Sequence, residues 1–472
     1  MGSTVLAGVL ATILILSVNA FPMIGNDSVV YITHSLDLAS GGWVVDGFRQ
    51  VGYPLALSVV RGLSTTLGAE PLLAMVILQR ALVVLACVLA FWKLRWWSLP
   101  LVLFLLIPTN IAYTNLLLTE GLGLPLAVLT TLSAWAYIDL ARGDLNERRR
   151  TMGTVLFGLA CVGALALFAI RFTYAVFAIV PLVLSAVSWR TPLRNRAMVI
   201  GGLFVLSAGL FTLMLAVENQ EELGVTSPST GALPGLYYYA WMQVFVVNPD
   251  NQTDADLAVF YDAGVVHDFS REVTAAGIPY AEQDEVYAAE VEAMLETAGA
   301  SIVGSQVESM LWALRGGRLH DIQGAIARIL SAGRDDIDET TYLNRFANEN
   351  GIQAFADRYN HGVTAGAIIT NPAGVRLPIP SGRALLSLLL PLVIAVMMVG
   401  LLVAGTRPVA VIGLAVVLGT AVGVGIIRAD NYRFLIVSSA AGLAVVSAML
   451  PQIVGSVDKW RARRGGEESA SV

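Results

Sequence analysis

Charge is scarce in this chain: 14% of its 472 residues carry one, where a soluble domain carries about 25%. Hydrophobic residues make up 56% and the mean hydropathy is +0.70. A soluble fold has no room to bury that much apolar surface, so the composition is that of a polytopic membrane protein. Cysteine is nearly absent as well. Cys87 and Cys161 both fall inside apolar runs, which speaks against a disulfide framework and against a metal cluster. Lysine occurs only as Lys93 and Lys459, beside 27 arginines, a composition that suits a GC-rich genome. A phosphate-cradling glycine loop, a zinc motif and a nucleophile elbow are all missing. Any reaction must therefore draw its energy from its own substrate. The first apolar stretch, Thr4 to Phe21, has no positive n-region and reads as a retained helix, not a cleaved signal.

What the chain does have is apolar length. Stretches of about 17–25 apolar residues cross a bilayer. The candidates are 4–21, 72–92, 97–114, 119–140, 152–170, 173–189, 198–217, 384–404, 408–427 and 433–453. Pro108, Thr109 and Asn110 interrupt the third of these, which predicts a short or broken helix. The mixed segments 27–40 and 53–67 predict helices lying along the membrane surface. The expected fold is all-α: a polytopic membrane protein of about ten transmembrane helices with a mostly helical extracytoplasmic domain.

Basic residues set the expected orientation. Lys93 and Arg95, Arg142 and Arg148 to Arg150, Arg190 with Arg194 and Arg196, Arg407, and the tail from Lys459 to Arg464 fall on one side if the spans alternate. That side is then cytoplasmic, with both termini, and the membrane is the plasma membrane. The chain divides into an N-terminal transmembrane module over 1–217, with its first outer loop at 22–70, and an extracytoplasmic domain over 218–383. C-terminal helices over 384–455 and a disordered cytoplasmic tail over 456–472 follow. Stretch 218–360 holds 23 acidic and 7 basic residues, so the outer domain is strongly acidic. Tyr287, Val291, Met294 and Ala298 recur there at helical spacing, and 321–355 reads similarly.

Few charged residues sit where chemistry at a membrane surface needs them. Asp27, Tyr31 and His34 are spaced to share one face of a helix, and Arg49 and Tyr53 follow on the same side of the membrane. A carboxylate at Asp27 can take a proton from a hydroxyl; it also serves as a helix cap. Glu120 opens the fourth span, where the helix dipole favours it, yet an ionisable group within the membrane is costly and points to function. Arg80, Arg171 and Arg433 lie in or near the outer half of the spans. The guanidinium fork suits phosphate, and long cationic side chains also snorkel to the interface. The oxygen-rich run from Asp250 to Asp256 fails as a calcium loop, because Ala255 and Tyr261 stand where glycine and glutamate are required.

These residues form a pattern. One span precedes Asp27-Ser28-x-x-Tyr31, then Arg49 and Gly52-Tyr53-Pro54-Leu55. A span with Gln79-Arg80, a proline-interrupted span, Leu118-Thr119-Glu120 and Arg171-Phe172-Thr173 follow. Over residues 1–200 the chain resembles the GT-C superfamily of membrane glycosyltransferases, in the group that includes protein mannosyltransferases and aminoarabinose transferases. Many relatives carry a paired acid motif where this chain has Asp27 followed by Ser28. A single carboxylate is a poor divalent site, so neither a metal nor another cofactor is expected. The resemblance implies an inverting transfer of a sugar, such as mannose or arabinose, from a polyprenyl-phosphate donor. The acceptor is an extracytoplasmic glycan, lipid or protein. On that reading Asp27 is the general base, Glu120 places the acceptor, and Arg171 with Arg80 or Arg433 holds the departing phosphate. Tyr31, His34, Arg49 and Tyr53 line the substrate. Membrane lipid is an expected partner and nucleic acid is not.

Three other readings compete. A glycan polymerase or ligase of another fold would put its chemistry in the long outer loop. A transporter or flippase would show paired halves with broken helices. A scaffold would use the outer charges only as caps and snorkels.

Overall fold

The computed structural model describes residues 26–42, 50–115, 117–143, 145–224, 226–228, 382–427 and 432–469, with Gly8, Thr12, Pro22 and a few positions between 276 and 289. Among these residues every regular element is a helix. In order, the helices are α1 (Asn26–Ala39), α2 (Gly52–Thr66), α3 (Pro71–Leu94), α4 (Leu99–Leu105), α5 (Pro108–Tyr113), α6 (Thr119–Ala141) and α7 (Glu147–Ile170). After them come α8 (Ile179–Ser188), α9 (Arg194–Leu223), α10 (Gly382–Leu402), α11 (Arg407–Ile427) and α12 (Tyr432–Ser469). Short 3-10 turns cover Arg95–Ser98 and Phe172–Ala178.

Five helical stretches are long and apolar enough to cross a membrane: Pro71–Leu105, Thr119–Ala141, Glu147–Ile170, Arg194–Glu221 and Ile436–Asp458. Phe172–Ser188, Leu389–Leu402 and Arg407–Val422 are shorter apolar helices. The all-helical membrane reading holds at this level. Segment 4–21 is described only at Gly8 and Thr12, both helical, with Gly8 facing Val88 of α3. Most of 218–383 lies outside the described residues, including the oxygen-rich segment and nearly all of both predicted loop helices. Glu282, Glu285, Val286 and Ala289 are helical.

Local chemistry accounts for several helix ends. Glu70 caps α3 by accepting from Leu72 N at 3.0 Å and Leu73 N at 2.6 Å, with Pro71 at the first helical position. Asn146 caps α7 through Arg149 N at 2.9 Å. At Arg95 the backbone takes φ 52, a left-handed value that ends α3. The chain then turns back along α3. By residues 114 and 115 it is level with Gln79 and Arg80, whose side chains donate to Thr114 O at 3.3 Å and Asn115 Oδ1 at 2.7 Å. The returning limb is broken into α4 and α5 around Leu106 and Ile107, next to the predicted Pro108 interruption. At the other end of the chain, α12 runs through Ser469, past the point where the sequence predicts a disordered tail. Proline is absent after Pro451, so no residue forbids the helix from continuing into the polar stretch.

The core forms around α6. It packs on α7, α3, α8, α11 and α12, and its apolar window is 72% buried, so it is the central post. Small residues permit the close approach: a methyl on Gly163 of α7 would collide with Thr130 of α6. A buried hydrogen bond between Tyr137 and Ser188 ties α6 to α8. By contrast the window of α9 is 11% buried. Val199, Leu203, Leu206, Leu210 and Leu213 stand exposed on it, which suits contact with hydrocarbon.

Basic residues collect at one end. Arg196 pairs with Glu147 at 2.9 Å, Arg149 lies against Gly143, and Arg142 lies close to Gly405 and Gln452. The opposite end of the bundle, about 34 Å away along the 23 residues of α6, carries the first turn of α6 and the candidate residues.

Candidate functional site

The site end is built from the junctions of α1 with α2, α5 with α6, and α7 with the 3-10 turn. Glu120 stands in the first turn of α6 with no measurable exposure. Leu118, at the N-cap, offers no capping side chain, and the dipole of α6 favours a carboxylate in this first turn. Arg171 ends α7 in extended backbone and directs its side chain at α6. Its Nη1 donates to Glu120 Oε1 at 2.7 Å and to Thr119 Oγ1 at 3.2 Å. The Thr119 hydroxyl in turn donates to Glu120 Oε2 at 3.2 Å. The side chains are 19% exposed for Arg171 and 1% for Glu120. The pair is thus reached by solvent only from the arginine side and is closed from the glutamate side.

A second polar group lies beside it. Gln79 and Arg80 of α3 are buried, as are their partners Thr114 and Asn115. Gln79 Oε1 rests on Gly121, where any Cβ would collide with it. The side chain of Gln79 therefore fixes the position next to Glu120 as glycine. Tyr174, one turn beyond Arg171, packs its ring on Gly123.

The first outer loop reaches the same place. Gly52, at the start of α2, sits so close to Ala169 and Ile170 that a methyl there would strike the α7 backbone. Tyr53 follows immediately and is fully buried. Its ring meets Tyr31 of α1 edge-on, with centroids 5.1 Å apart and planes at 65°. α1 begins at Asn26, so Asp27 occupies its first turn, one turn before Tyr31. His34 is half-buried on the same helix. Val51 packs with Leu215 of α9, and Gln50 Nε2 donates to Pro228 O at 3.5 Å. The start of the long loop thus lies over the start of α2.

Of the residues singled out in the sequence, the structure joins Glu120 to Arg171 and Tyr31 to Tyr53, with Gly52 linking the two pairs. Arg80 is placed nearby through Gln79. Arg49 lies outside the described residues, as do the side chains of Asp27 and Arg433. Asn115, Thr119 and Gln79 carry structural roles that the sequence reading does not assign; the signal for them is a polar residue inside an apolar run. No group of three His, Cys, Asp or Glu side chains able to hold a metal ion occurs among the described residues. Searches of protein-family models, curated proteins and solved structures find no match to this chain.

Proposed function

We propose that this chain is an integral membrane glycosyltransferase of the GT-C kind, moving a sugar from a polyprenyl-phosphate donor to an extracytoplasmic acceptor with inversion. The observation that carries the reading is the convergence described above. Segments around residues 31, 53, 79, 120 and 171, far apart in the chain, meet at the end of the bundle opposite the basic one. A lipid-linked substrate requires polar chemistry at the edge of an apolar bundle, and this is where the polar residues gather.

In this mechanism Asp27 takes the proton from the acceptor hydroxyl, and the oxygen attacks the anomeric carbon. The bond from that carbon to the phosphate oxygen breaks, and the lipid phosphate leaves as an anion. An anionic leaving group needs positive charge in place before it departs. Arg171 is held in position by Glu120 and Thr119, and a guanidinium carries five N–H donors, enough to hold a carboxylate and a phosphate together. Arg80 supplies a second cation from α3. Basic loops at one end, with the start of the acidic 218–383 segment at the other, where Gln50 meets Pro228, support a topology of about ten spans, cytoplasmic termini and an outer catalytic face. The test is sugar transfer by purified protein in nanodiscs, with a panel of polyprenyl-phosphate sugars. Wild type transfers from one of them, and folded Asp27→Asn does not.

One observation favours a second reading. Glu120 already occupies Arg171 at 2.7 Å, as a purely structural clamp between α6 and α7 would. The chemistry would then lie in the long outer loop, as in a glycan polymerase or ligase. Full activity in Asp27→Asn would select this reading.

A further inference from the structure

At the basic end, a cavity of about 330 Å³ opens between the end of α3 and α12. Trp97, Trp135 and Pro451 form an apolar wall, and Lys93, Arg95 and Gln452 are its polar members. The left-handed backbone at Arg95 reverses the chain here and brings both cations to the mouth. Among the described residues no carboxylate pairs with either of them; Lys93 Nζ lies over the Trp92 ring at 4.9 Å. The Trp135 indole N–H is buried without an acceptor among the described residues. Trp92 and Trp96 stand exposed beside the cavity, at the depth where tryptophan marks the boundary of hydrocarbon and headgroups.

We propose that this cavity is a binding site for one anionic phospholipid. The phosphate sits between Lys93 and Arg95, and the glycerol end of the acyl chains lies against the tryptophans. A free phosphate ion fits poorly, because the wall would strip its hydration over an apolar surface. A zwitterionic lipid brings the same phosphate with a cation of its own, which is repelled by Lys93 and Arg95. The site lies at the far end of α6 from Glu120, so it does not depend on the reading of the catalytic end.

Native mass spectrometry of the full chain, released from detergent with equal amounts of phosphatidylglycerol and phosphatidylcholine, tests this. Wild type retains phosphatidylglycerol in preference. The double variant Lys93→Gln, Arg95→Gln loses about tenfold of that preference. Ala448→Leu, which adds bulk to the cavity wall, reduces retention of both lipids; should it unfold in a thermal melt, the double variant carries the test. Equal retention of the two lipids by wild type overturns the proposal, as does an unchanged preference in the double variant. Displacement of phosphatidylglycerol by inorganic phosphate alone would also overturn it, by assigning a bare anion site.

Discussion

Arg171 Nη1 lies 2.7 Å from Glu120 Oε1, across 51 positions of sequence. The bond fastens the first residue after α7 to the first turn of α6 and buries a carboxylate whose side chain is 1% exposed. Removing one member of a buried pair strands the other's charge, at about 3–5 kcal/mol. Arg171→Met is therefore expected to lower stability by about that amount. The double change with Glu120→Gln should recover part of the loss, because no charge is left unpaired. Chemical denaturation in mixed micelles measures both; equal loss in the single and double variants would remove the coupling.

Catalysis separates the clamp from a phosphate-binding role. Arg171→Lys keeps the charge and gives up the planar fork. If the fork serves the departing phosphate, transfer falls by about 10²-fold, as for loss of one donor to a developing anion, while the melting temperature changes little. A fall in stability with transfer unchanged per folded molecule would leave Arg171 as a clamp only.

Gly121 gives a sharper steric test. Gln79 Oε1 lies where a Cβ on residue 121 would be, so Gly121→Ala overpacks the buried contact between α3 and α6 and costs about 1–3 kcal/mol. Gln79→Ala removes the severe clash and leaves only the close approach to Tyr113 O, so the double variant should be more stable than Gly121→Ala alone. Additive losses in the cycle would show that the collision relaxes elsewhere.

What the sequence made legible was local. Apolar length marks the long helices because crossing a bilayer is a property of one segment. Pro108 and its polar neighbours betray the broken limb because proline acts on its own turn. Arg80, Glu120 and Arg171 stand out because charge in an apolar run is costly wherever it lies. Pairing is a different matter. Nothing in the sequence says that Glu120 closes on Arg171, or that Arg80 chooses Asn115. Those choices follow from the way α3, α6 and α7 pack, and that depends on Gly121, Gly163 and Gly52 allowing backbones together. Taken alone, the sequence assigns Glu120 and Arg171 separate roles; the structure makes them one unit. The helical course of α12 to Ser469 was hidden for another reason, since polar composition alone does not end a helix.

Topology is open to direct test because the native thiols are out of the way. Cys87 and Cys161 are both buried, so a water-soluble maleimide on wild-type cells should label neither. Thr66, at the end of α2, and Asn195, near the start of α9, are both exposed. They lie toward opposite ends of the bundle: Thr66 leads into the start of α3, whose Gln79 rests on Gly121 beside Glu120, whereas the first turn of α9 meets the start of α7, where Arg196 pairs with Glu147. If the basic end faces the cytoplasm, Thr66→Cys is labelled in intact cells, and Asn195→Cys only once the membrane is opened. The reverse pattern would put the Glu120–Arg171 end inside. It would also exclude a donor whose sugar is presented on the outer face, whatever activity the purified protein shows. Labelling of both cysteines in intact cells would mean that the two ends are not on opposite sides of a membrane, and the alternation of basic loops would then need another cause.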